Sequence, residues 1–268
     1  MKSMRRHSFA GFIAHCRWLV CAAIALLSAG ATVRAQRPAD TGVTFEVRIE
    51  NVSNRRTLKL SGGGSVAIPL SPGVWAVHTG DSPLFTAGAV EAGLGLKGLA
   101  EASLAAPFAA NVRGSRGVRT AGVFDEPKGH RRGMPQGAVD RATASKMLQP
   151  GQRFEFTITA HTHDRLSLAM MLAQSNDGLV GTRLPGIELF DAAGTPISGD
   201  VTPQLTLWDA GSEVNEEPGV GRNQGLRQGV PYAGDPERKP VRPLAETEFG
   251  QVWPSADRLV RITITPRK

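Results

Sequence analysis

Leu205-Thr206-Leu207-Trp208-Asp209-Ala210-Gly211-Ser212-Glu213-Val214-Asn215-Glu216-Glu217 opens as a strand and ends as an acidic loop. Leu205 and Leu207 stand two apart, the spacing of one face of a strand. Four carboxylates and an amide follow between Asp209 and Glu217, and Pro218-Gly219 ends the run. Oxygen-rich side chains on one loop repel each other unless a positive charge sits among them. A hard cation such as calcium takes about six to eight oxygen ligands from carboxylates, amides, carbonyls and water. A solvated acidic turn, with Asp209 capping the Ala210-Gly211 bend, is the plainer reading of the same residues.

Working outward, the same kind of strand recurs. Phe45-Glu46-Val47-Arg48-Ile49, Phe154-Glu155-Phe156-Thr157-Ile158, Leu166-Ser167-Leu168-Ala169-Met170 and Val260-Arg261-Ile262-Thr263-Ile264 alternate apolar with other residues. Ile187 to Phe190 is a shorter strand-like run. Val66 to Leu70 and Val74 to His78 read as strands around a turn at Ser71-Pro72-Gly73. Short alternating runs between Gly, Pro, Asn and Asp turns predict an all-β fold, an antiparallel β-sandwich with long loops. The terminal run would lie beside earlier strands and close a sheet. One or two short helices are expected, around Leu96 to Leu104 and Ala138 to Leu148. Asn111 to Gly137, rich in Gly and Arg, reads as a long surface loop.

The strand pattern places two further carboxylates, Asp177 and Asp191, beside this run. Asp177, in Ser175-Asn176-Asp177-Gly178, follows the Leu166–Leu172 strand, and Asp209 and Glu213 follow the Leu205–Leu207 strand. Asp191 ends a third strand. A two-layer sandwich gathers its loops at its two ends. If these strand ends share one rim, the carboxylates converge.

Charge points away from nucleic acid. The formal net charge is +7. Five of the 31 basic residues, and none of the 24 acidic ones, lie in the first 35 positions, so the remainder carries +2. No basic cluster with interleaved aromatics occurs in the remainder. Residues 1–35 instead read as a secretory signal peptide: basic residues, the apolar run Trp18 to Leu27, then Val33-Arg34-Ala35 as a cleavage site. The apolar run is short for a spanning helix, which needs about 20 residues. An uncleaved anchor is the alternative. Residues 36–42 read as a linker and 43–268 as the domain. Both cysteines, Cys16 and Cys21, lie in the leader, so the mature chain would have no disulfide and no thiolate site. The expected location is secreted or periplasmic, with no transmembrane segment after cleavage.

The runs Asp177-Gly178-Leu179-Val180-Gly181, Leu189-Phe190-Asp191 and Leu207-Trp208-Asp209-Ala210-Gly211-Ser212-Glu213 resemble the spondin-N (F-spondin/mindin) domain in order and spacing. The resemblance covers roughly Phe154 to Arg267 and extends toward Phe45. It implies an eight-stranded antiparallel sandwich related to C2 domains, and one calcium ion held by loop carboxylates. By position those would be Asp177, Asp209 and Glu213, with Glu155 corresponding to a glutamate on an earlier strand. Animal members carry Ser-Pro-Asp-Trp where this chain has Ser175-Asn176-Asp177-Gly178, so the aromatic is missing. The resemblance also implies extracellular or cell-surface adhesion to a glycan or protein, without catalysis.

Competing chemistries are thinner. Two carboxylates about 5–9.5 Å apart could hydrolyse a glycoside, so a secreted hydrolase using Asp177 with Asp209 or Glu213 is the alternative function. A cluster of like acids offers little of the asymmetry such an acid–base pair needs. No Gly-x-Ser-x-Gly is present. Gly93-Leu94-Gly95-Leu96-Lys97-Gly98 has dinucleotide-type glycine spacing but follows no strand. His161-Thr162-His163 has the spacing of a metal pair, yet sits where a hairpin turn is due.

Overall fold

Where one face of a strand is apolar and the other is not, the chain makes a sheet with one dry side. In the computed structural model, which describes residues 42–91, 95–129, 146–244 and 252–267, this holds at both ends of the chain. The strands are β1 (Val43–Asn51), β2 (Leu58–Lys59), β3 (Ser65–Val66), β4 (Leu70–His78), β5 (Val118–Phe124), β6 (Arg153–Ala160) and β7 (Arg165–Leu172). They continue as β8 (Gly178–Thr182), β9 (Ile187–Glu188), β10 (Gly199–Asp200), β11 (Leu205–Asp209), β12 (Arg242–Pro243) and β13 (Val260–Pro266). Helices α1 (Leu96–Ala102) and α2 (Ala105–Arg113) lie between β4 and β5.

The small sheet runs β10-β13-β1-β6, all antiparallel. Phe45, Val47 and Ile49 of β1 and Val260, Ile262 and Ile264 of β13 are fully buried, while Arg48 and Arg261 are exposed. The first and last strands of the domain are thus direct neighbours. The large sheet runs β12-β11-β8-β7-β4-β5, with β9 beside the start of β7. Phe45, Ile49 and Ile262 of the small sheet share one hydrophobic core with Leu166, Leu168, Met170 and Leu205 of the large sheet.

The inner strands of the large sheet, β4, β7, β8 and β11, are buried on both faces. Ala169, Met171, Leu179 and Trp208 turn away from the main core into a second cluster, against Leu96 and Leu99 of α1 and Phe108 and Val112 of α2. The result is antiparallel sheets with two short helices on one outer face, a mixed composition rather than strands alone. The helix expected around Leu96 to Leu104 is α1. Of the second expected helix, residues 138–145 lie outside the described residues, as do the leader, its cleavage site, most of the linker and Gly93-Leu94.

Two expectations fail. Ser71-Pro72-Gly73 is not a turn but the interior of β4. A register shift between Leu70 and Gly73 accommodates Pro72, which has no N–H to give the ladder. Gly73 is there for proximity: a Cβ on it would lie 2.2 Å from the Phe124 ring and 2.5 Å from the Ala169 carbonyl. The stretch from Asn111 is likewise not a loop throughout. It completes α2 and then forms β5, whose small Gly122 lies under the Trp75 ring.

Candidate cation site at the end of the large sheet

Antiparallel pairing brings the predicted carboxylates together. β8 and β11 pair so that Asp209 stands opposite Gly178, which places Asp177 beside it. The Ala210 amide donates to the Asp177 carbonyl at 3.3 Å. The preceding turn is closed by Ser175, whose Oγ accepts from the Gly178 amide at 2.9 Å and donates to the Leu172 carbonyl at 2.7 Å. A Cβ at Gly178 would come 2.7 Å from that hydroxyl oxygen, which is the local reason for glycine there.

Asp177 is fully buried. Its Oδ2 accepts from the backbone amides of Ser212 at 2.7 Å and Glu213 at 3.1 Å, so the acidic loop is folded over it. Its Oδ1 has no hydrogen-bond partner. Asp209 is satisfied on both oxygens. Oδ1 accepts from the Gly211 amide at 2.7 Å, and Oδ2 from Asn215 at 3.0 Å and from the Arg242 guanidinium at 2.7 Å. Arg242 reaches it because β12 pairs Arg242 with Asp209. Glu213 is 1% exposed; neither of its carboxylate oxygens makes a well-formed hydrogen bond, and the Gly234 backbone amide lies close enough to pull its pKa down somewhat. Gly234 packs against it so closely that a Cβ would lie 1.8 Å from Oε1.

Electrostatics follow from this geometry. Burial, then the charge of Asp209, pushes Asp177 well above the usual carboxylate range. Burial, then the charge of Glu101, pushes Glu213 up to about 8. Asp209 is also raised, by burial, although Arg242 pulls it back. Glu101, on α1, is 1% exposed, and Lys97 one turn earlier donates to both its oxygens at 2.5 Å. Lys97 also sits 5.2 Å from the centre of the Tyr232 ring. Arg242 additionally holds Glu237 at 3.1 Å, and Lys239 holds Glu237 at 2.5 Å.

Pairing every neighbour leaves two acids over. Arg242 compensates Asp209, and Lys97 compensates Glu101. Asp177 and Glu213 keep three buried oxygens without a well-formed hydrogen bond. Buried polar atoms are nearly always hydrogen-bonded, so such atoms require a proton or a cation. Two uncompensated carboxylates match one divalent charge, and an all-oxygen donor set suits calcium. Among the described residues, no group of three or more His, Cys, Asp or Glu side chains is already arranged to hold a metal ion.

The rest of the acidic run has other tasks. The Glu216 amide donates to Asn176 Oδ1 at 2.9 Å, and its carboxylate accepts from the Asn223 amide at 2.8 Å. Glu217 accepts from the amide and hydroxyl of Ser61. These two acids tie the loop to its neighbours.

Glu155 and Asp191 do not join the site. Glu155 lies on β6 in the small sheet, where Arg153 and Lys128 pair with it and hold its carboxyl below the usual range. Asp191 is exposed and caps its own turn, accepting from the amides of Ala193 at 2.9 Å and Thr195 at 2.8 Å. Its short strand β9 pairs with the start of β7, whereas Asp177 follows the end of β7. The two aspartates therefore sit at opposite ends of that strand. His161 to Asp164 forms the turn from β6 to β7, with Asp164 buried and paired to Arg119 at 2.6 Å.

The sequence reading missed Glu101, Lys97 and Arg242. Lys97 and Glu101 have the i, i+4 spacing of a helical ion pair, the one local signal available. Among the described residues no helix is long and apolar enough to cross a membrane. A scan of protein-family models and a search of curated proteins each found no match.

Proposed function

We propose that the chain is a secreted or periplasmic calcium-binding module. Its two main sheets, which share one core, are read as a C2-like β-sandwich of the spondin-N type, making a non-catalytic adhesive contact outside the cell. One calcium ion would be held by Asp177 and Glu213, with Asp209 and Glu101 beside it, fixing loops that otherwise repel. The spondin assignment rests on the sequence runs around Asp177, Asp191 and Asp209. The observation that carries the calcium reading is the set of buried acceptors without a well-formed hydrogen bond: Asp177 Oδ1 and both Glu213 oxygens. A hydrolase using the same acids would need substrate to reach them, and they are 0% and 1% exposed.

The test is calcium titration by calorimetry on residues 36–268, with melting curves in EDTA and in calcium. Extracellular modules bind calcium with dissociation constants of about 0.1–1 mM. Calcium at about 100 times that constant adds roughly 2.7 kcal/mol to stability. Asp177→Asn and Glu213→Gln are expected to abolish both the heat and the melting shift. Identical wild-type melting curves with and without calcium would sink the reading.

A further inference from the structure

The burial that keeps a substrate from Asp177 and Glu213 also leaves a calcium ion without an entrance, so part of the surroundings has to move. Most of them are tied down. β8 and β11 pair along their length. The loop after β11 is pinned, since the Ser212 and Glu213 amides donate to Asp177 and the Val214 amide donates to the Asp235 carbonyl at 2.8 Å. Glu101 comes in on α1, a regular helix packed on the large sheet.

The exception is Gly229-Val230-Pro231-Tyr232-Ala233-Gly234. Its first five residues are all exposed, and its last, Gly234, lies against the Glu213 carboxylate. Among the described residues, no backbone–backbone hydrogen bond ties residues 229–234 to the rest of the chain. The residues on either side are tied: Gln228 Nε2 donates to the Glu101 carbonyl at 2.6 Å, and Asp235 holds the Val214 amide. Glycine, free to turn about its backbone bonds, stands at both ends of the segment. An exposed stretch with so few hydrogen bonds opens at low cost.

What holds it shut is one side chain. Tyr232 lies along α1: Lys97 Nζ is 5.2 Å from its ring centre, and its hydroxyl would stand 3.6 Å from a Cβ on Gly98. The Tyr232 backbone has φ 62°, a left-handed conformation that a bulky residue rarely adopts. Such a conformation persists where its surroundings hold it, and it collects at clamps and switches. We propose that residues 229–234 are a lid on the cation site, latched by Tyr232 against Lys97 and Gly98, and that an ion enters and leaves when the lid swings out. The ion rests on the calcium reading above; the movement of the lid does not.

The experiment uses residues 36–268 and has two arms. In the first, calcium uptake and release are timed by stopped flow, release by chasing with a fluorescent chelator, and affinity is read by calorimetry. The latch holds the lid with and without the ion, so its loss speeds both directions and moves the affinity less. Tyr232→Ala is expected to raise both rates about tenfold or more, while Tyr232→Phe, which keeps the ring, and Val230→Ala, elsewhere on the lid, stay within about twofold of the wild type. In the second arm 3-fluorotyrosine replaces Tyr232, the only tyrosine in the chain, and fluorine NMR is recorded in EDTA. Exchange between two environments on the microsecond-to-millisecond scale is expected, with Lys97→Ala shifting the population toward the second. This arm needs no calcium, so an absent heat of binding removes the ion and the NMR alone then decides the lid. The lid is overturned if Tyr232→Ala leaves both rates unchanged, if it weakens affinity through release with uptake unchanged, or if the resonance reports one environment that Lys97→Ala does not move.

Discussion

Glu213 is a buried acid whose two oxygens make no well-formed hydrogen bond, and its protonation is coupled to folding through that burial. Its folded pKa, about 8, stands above the usual 4.5. The folded chain holds a proton there that the unfolded chain has released, across the window between those values. Without calcium, the stability from this group is fully present below about pH 4.5 and lost as pH rises through about 8. The loss amounts to a few kcal/mol at most, on the order of 1.4 per pKa unit. Melting in EDTA is expected to fall steadily between pH 5 and 8.5, and Glu213→Gln should flatten that slope. His78 has the opposite sense. It is fully buried, its Nε2 lies 2.8 Å from Ser167 Oγ, and burial lowers its pKa. Its contribution is lost as pH falls below the unfolded value of about 6.5. Residue identity made Asp177, Asp209 and Glu213 legible in the sequence, because each sits within a few positions of a strand end. Whether an acid is buried or compensated depends on partners far along the chain, such as Arg242, and no local pattern gives that.

Among the elements, α1 does more than cover the large sheet. It brings Glu101 and Lys97 to the wall of the cation site, one helical turn apart. Lys97→Met would leave Glu101 a third uncompensated acid. In EDTA this variant should be destabilised by about 1–3 kcal/mol, and calcium should restore more stability to it than to the wild type. The paired melting curves read both effects. Strand β4 carries a separate prediction. Gly73→Ala puts a methyl group against the Phe124 ring and the Ala169 carbonyl, and urea unfolding should show a loss of about 1–3 kcal/mol. Strands with one wet face, such as β1, β6 and β13, were visible from alternation. β8, Gly178-Leu179-Val180-Gly181-Thr182, is buried on both faces and has glycines where contrast would show. β5 and α2 were missed for a like reason: small residues, chosen for close packing, leave little apolar periodicity.

At the scale of the whole molecule, the small sheet depends on residues more than two hundred positions apart. Val260, Ile262 and Ile264 of β13 are fully buried beside β1. Each such side chain is worth about 1.5–3 kcal/mol of burial, so the three approach the entire stability of an ordinary domain, about 5–15 kcal/mol. A chain ending at Leu259 is expected to give no cooperative melt, measured by circular dichroism alongside the full chain. That the terminal run lies beside an earlier strand was readable because it alternates as cleanly as Phe45 to Ile49; that the strand is β1 was not.

That union of opening and closing strands also sets a timetable. A polypeptide made from its amino end can pair Phe45, Val47 and Ile49 with β6 about a hundred residues later, but their other neighbour, β13, comes more than two hundred residues on. Closing so large a loop is slow, since distant contacts reward the chain only after its entropy has been given up. The small sheet therefore stays incomplete until β13 emerges, and anything that guards the nascent chain in the meantime must shield the edge of β1 that β13 comes to cover.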